Sequence, residues 1–75
     1  MEAEIEASEL TAVIAEWLYS LPQDDRVLFL RRYWFSESLG SLAEECLTTP
    51  NKMAGRMYRL REKLKSALEK EGISL

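Results

Sequence analysis

Histidine is absent from this 75-residue chain, and cysteine occurs once. Without histidine the side chain that ordinarily exchanges protons near neutral pH is missing, and with it the commonest catalytic base. A lone cysteine closes no disulfide within the chain, so nothing calls for an oxidising compartment and the cytoplasm is the expected location. With no second cysteine or histidine to assist it, Cys46 is expected to be a small core residue rather than a metal or redox ligand. No apolar run approaches the roughly 18 residues that span a bilayer, and no membrane contact is expected. The opening MEAEIEASEL also lacks the basic start and apolar stretch of a signal peptide. Two prolines and three glycines leave no linker or low-complexity tract. Strands are unexpected, because β-branched residues nowhere alternate with polar ones. Phosphate-cradling glycine loops and metal-ligand spacings are missing too. Glu44 and Glu45, being adjacent, diverge by about 100° on a helix and do not form a carboxylate pair. Neither enzymatic activity nor a cofactor is expected.

What is present is apolar periodicity. Hydrophobic residues make up 47% of the chain, with two Trp, three Tyr and two Phe, enough for one small core in a single domain over 1–75. Residues 1–7 are expected to be a flexible tail or the remnant of a linker. Leu10, Val13, Ile14, Trp17, Leu18 and Leu21 then recur along one face of a helix that Ser8 could cap. Pro22 suits the first turn of a second helix, whose positive end Asp24 and Asp25 complement. Along "RVLFLRRYWF" the expected inward set is Val27, Leu30, Tyr33 and Trp34, and both Trp17 and Trp34 are expected in the core. "SESLGSLAEECL" predicts a short third helix capped by Ser36 or Ser38, with Leu39, Leu42, Ala43 and Cys46 on one face. Thr49 and Pro50 predict the N-cap and first residue of a fourth helix. That helix aligns Met53, Met57, Leu60, Leu64 and Leu68 and should end near Gly72. The methionines are expected to fill the core rather than to line a binding groove. The fold class expected is all-α: a four-helix, helix-turn-helix domain with a long C-terminal recognition helix.

Charge is segregated along the chain. The net charge is −3, yet residues 1–49 carry three basic and ten acidic side chains, while residues 50–75 carry seven basic and three acidic. A polyanion is repelled by the first part and attracted by the second. At about 100° per residue, Lys52, Arg56, Arg59 and Lys63 fall within roughly 60° of one another, about 100° from the centre of the apolar set. Asn51 and Gly55 point outward beside this stripe, Tyr58 lies further round, and Arg61 and Lys65 lie on another side. Such a stripe can grip phosphates or bond guanine in the major groove. It is also what a solvated helix face looks like, and geometry alone leaves the two readings even.

From about Leu21 to Leu68 the chain resembles region 4 of bacterial RNA polymerase sigma factors, in particular the small extracytoplasmic-function type. "LPQDDRVLFLRRYWF" is similar to the family's opening of Leu-Pro, acidic residues, Arg and an apolar run to Arg-Tyr. "SLGSLAEECLTTPNKMAGRMYRLREKL" is similar to its helix-turn-helix: Leu42-Ala43-Glu44, Arg59, Arg61 and Leu64 fall on family positions. The resemblance implies a domain that places its last helix in the major groove of the upstream (−35) promoter element. It further implies docking on the flap of the polymerase β subunit and masking by an anti-sigma factor, the isolated domain being monomeric. By position, Tyr58 and Arg59 match DNA contacts and Arg56 a basic position, while Ser38, Thr49 and Arg61 are phosphate-side candidates. Asn51, Lys52, Gly55 and Lys63 complete the expected DNA-binding set. Four positions depart from the family pattern, one of them Thr48, which stands where an apolar residue is usual. Ala54 and Gly55 stand where longer polar side chains reach bases, and Leu47 stands where a turn glycine is common. The expectation for Leu47 is a turn shifted by one residue, with the leucine filling the core. The alternative function is a degenerate helix-turn-helix that kept the fold and binds RNA polymerase or an anti-sigma factor instead of DNA.

Overall fold

The computed structural model describes residues 2–73, with side chains from Glu9 onward. Four helices follow one another: α1 Glu2–Ser20, α2 Gln23–Tyr33, α3 Leu39–Glu45 and α4 Pro50–Lys70. No strand occurs among the described residues, and the architecture is the all-α one expected. α1 begins at Glu2, so Ser8 lies within the helix and not at its start. The tail expected over 1–7 falls on residues whose side chains lie outside those described, although the backbone of 2–7 is helical. Pro22 takes the N-cap place of α2, with φ −54° and ψ 148°, one residue outside the position expected. Its missing N–H is harmless there, and its carbonyl accepts from Arg26 N at 3.0 Å.

The core is one cluster at the crossing of all four helices. Trp17 comes from α1, Leu21 from the link that follows it, Leu28 and Phe29 from α2, Leu42 and Ala43 from α3, and Met53, Met57 and Leu60 from α4. Trp17 and Phe29 meet edge to face, with ring centroids 5.0 Å apart, which ties α1 to α2. Met53, Met57, Leu60 and Leu68 are buried as the periodicity predicts, and Leu64 is half-buried.

α2 corrects the expected inward set. Trp34 is 78% exposed, Val27 and Tyr33 are each 42% exposed, and Leu30 is half-buried, while Leu28 and Phe29 are inside. The cause is four consecutive apolar residues, Val27 to Leu30, which point an apolar side chain in every direction around this helix. Periodicity then selects no face, and contact with α1 and α4 does. Cys46 is exposed rather than buried, because α3 ends at Glu45 and Cys46 is its C-cap.

Candidate nucleic-acid interface

α3 and α4 form a bent pair whose geometry comes from two caps and one turn. Ser38 Oγ accepts from Ser41 N at 3.1 Å and starts α3; Thr49 Oγ1 accepts from Lys52 N at 3.2 Å and starts α4, with Pro50 as its first residue. Between them, Thr48 N donates to Ala43 O at 2.9 Å and Leu47 N to Glu44 O at 3.2 Å. This bonding pattern is a Schellman motif, which demands a left-handed residue at its corner. Leu47 occupies that corner at φ 55°, where glycine is usual, and its side chain is 94% exposed. The turn is therefore not shifted, and Leu47 fills no core space. The bonded backbone sets the corner's direction, and that direction aims the leucine at solvent. Leu42 and Ala43, 0% and 1% exposed, then anchor α3 in the core it shares with Met53 and Met57 of α4.

This anchoring turns the opposite side of α4 outward. Asn51, Lys52, Tyr58, Arg59 and Lys63 are exposed. Among the described residues, no ion pair or hydrogen bond engages the side chain of Asn51, Lys52, Arg59 or Lys63. Gly55 lies at the middle of the outward side, about 180° from the centre of the apolar set. The Arg59 guanidinium folds back over it, Nη1 standing 3.5 Å from the point a Cβ at residue 55 would occupy. Tyr58 donates its hydroxyl to Glu62 Oε1 at 3.1 Å. Ser38 and Thr49 are exposed, but their oxygens serve as caps.

Two further expected contacts, both arginines, are engaged by residues of α2. Arg56 is half-buried and donates from Nε and Nη2 to Asp25 Oδ1, at 3.0 and 2.6 Å. The stripe is thus three solvated cations and one paired one. The reason lies in its own geometry: of the four, Arg56 stands nearest the apolar face, within about 40° of Leu60. It therefore meets α2, where Asp25 lies in the first turn. Arg61, on the opposite flank of the apolar face, donates to the Tyr33 hydroxyl at 2.5 Å. α2 thus lies across α4, its first turn tied to Arg56 and its last to Arg61. The sequence reading assigned Asp25 only to the α2 helix dipole. Its partnership was signalled by a cation placed at the edge of a core.

A second polar cluster holds α2 to α3. Arg31 donates to both carboxylate oxygens of Glu37, at 2.7 Å each, and also pairs with Glu45. Arg32 donates to the Glu37 carbonyl at 3.1 Å. The Arg31 hydrogen bonds hold the Glu37 carboxyl below its ordinary value against the desolvation that would raise it, and the two carboxylates push Arg31 higher still.

α1 and α2 leave an apolar groove between Ile14, Ala15 and Leu18 and Phe29, Leu30 and Trp34. Trp34 and the neighbouring Phe35 are largely exposed. The sequence reading missed this surface by placing Trp34 in the core. No helix among the described residues is long and apolar enough to cross a membrane. Comparisons with protein-family models, with curated proteins and with solved structures find no match to the chain.

Proposed function

We propose that this chain is a DNA-binding module of transcription initiation, similar to sigma factor region 4, whose α4 enters the major groove of an upstream promoter element. The observation that carries the reading is the solvated row of Lys52, Arg59 and Lys63 on the outward side of a capped helix that α3 holds at a Schellman corner. Asn51 and Tyr58 lie beside that row, and Gly55 lets a base edge or phosphate approach the backbone closely once the Arg59 guanidinium swings off it. The −3 net charge and the acidic first half make the affinity of the domain alone low. Titration of ¹⁵N-labelled protein with promoter DNA at low salt tests the reading. Shifts clustering on residues 49–63 are expected; shifts spread evenly over the four helices, or none, defeat it.

The groove beside Trp34 favours a second reading, a protein-interaction module that binds RNA polymerase through its β flap, or an anti-sigma factor. An amphipathic partner helix fits such a surface. The two readings are compatible on one domain, since groove and α4 stripe use different residues. In the second reading alone, Trp34→Ala abolishes partner binding and Arg59→Ala leaves it unchanged.

A further inference from the structure

We infer that Asp25 sets the strength of DNA binding by withholding Arg56 from the phosphates. The inference rests on the DNA-binding reading above and adds to it a residue of α2. Arg56 belongs by position to the cationic stripe, and it borders the same recess as Arg59 and Lys63. Its Nε and Nη2 are both spent on a single oxygen of Asp25, Oδ1. The pair is only partly covered, the side chains being 35% and 20% exposed, so neither group is trapped in the core. A phosphate entering the recess is an alternative anion for the same guanidinium edge, and Asp25 is the intramolecular competitor already in place. While the pair holds, the stripe offers Lys52, Arg59 and Lys63. When it opens, a fourth cation joins them, and each further neutralised phosphate steepens the salt dependence by about 0.9 in log–log slope.

The competition is distinct from simple repulsion between Asp25 and DNA, and a neighbouring residue separates the two. Asp24 is exposed on the same turn of α2 and removes the same charge when neutralised, without releasing an arginine. Binding of promoter DNA is measured across a salt series for wild type, Asp24→Asn, Asp25→Asn and the charge-matched double variant Asp25→Asn/Arg56→Ala, with a ¹H–¹⁵N spectrum confirming that each is folded. Asp25→Asn is expected to bind about tenfold more tightly than wild type, with a slope steeper by about one phosphate. Asp24→Asn should gain only the smaller effect of its charge. The double variant should bind like wild type, because Arg56 contributes nothing while paired. Asp25→Ser, which removes the charge with a different side chain, is expected to match Asp25→Asn. Equal gains for Asp24→Asn and Asp25→Asn, or a double variant weaker than wild type, overturn the inference while leaving DNA binding intact. Absence of binding by every variant overturns the DNA reading, and this inference with it.

Discussion

A leucine in the left-handed region is a local cost that its surroundings do not repay through packing. Leu47 holds φ 55° with 94% of its surface exposed, so the side chain gains almost nothing from folding. The left-handed backbone costs a non-glycine residue about 1–2 kcal/mol. Glycine escapes that cost but loses roughly 0.5–1 kcal/mol through the freedom of its unfolded chain. Leu47→Gly should therefore stabilise the domain by about 0.5–1 kcal/mol, read as a higher urea midpoint at unchanged slope. Destabilisation by the glycine would mean that Leu47 packs against something in the folded state. Gly72 makes the comparison within the same chain: at φ 75° it closes α4 with the same pair of bonds, Ile73 N to Leu68 O and Gly72 N to Glu69 O.

At the scale of the helices, α4 packs against each of the other three, and α2 is fixed by polar contacts at both ends with Leu28 and Phe29 buried between. Its C-terminal contact is sensitive to pH through Glu37. Because the folded carboxyl titrates below its unfolded value, the unfolded chain takes up its proton first as pH falls. The contribution of Glu37 to stability is thus complete above the ordinary carboxylate range and is lost as pH drops through the lowered folded value. In Glu37→Gln the stability curve should be flatter through that acid window, with the α2–α3 amides less protected from hydrogen exchange at neutral pH; an unchanged acid limb would remove the role of the pair. The helices themselves were legible because their signals are local: Ser38 and Thr49 cap where expected, and α4 shows its apolar row without ambiguity. The inward face of α2 was not legible, because Val27-Leu28-Phe29-Leu30 offers apolar side chains in every direction. The partners of Arg56 and Arg61 were also invisible, since Asp25 and Tyr33 lie 31 and 28 residues away in sequence. Nothing short of the crossing of α2 over α4 brings them together. For Leu47 the side chain suggested a core position, while the backbone bonding of the corner decided otherwise.

For the whole molecule, the proposed DNA binding raises the question of how an acidic protein would approach a polyanion. Seven of the ten basic side chains lie in the last third of the chain, all on α4, which carries them along one long rod. Lys52 and Lys63 stand about 16 Å apart along that rod, at roughly 1.5 Å per residue, with Arg59 between them. Their spacing offers phosphates a row rather than a point. Under that proposal, repulsion from the first half disfavours every other orientation, so that approach would be productive only with α4 leading. The number of cations actually used then appears in the salt dependence. With Lys52, Arg59 and Lys63 neutralising one phosphate each, the plot of log K against log salt should have a slope of about −3. A slope twice as steep would mean that Arg56, Arg61 and Lys65 are recruited as well, which for Arg56 requires the contact to Asp25 to break on binding. A slope near zero with binding retained would remove phosphate neutralisation by α4 altogether. Because the slope counts neutralised phosphates and not the total affinity, it distinguishes these cases even when binding is weak.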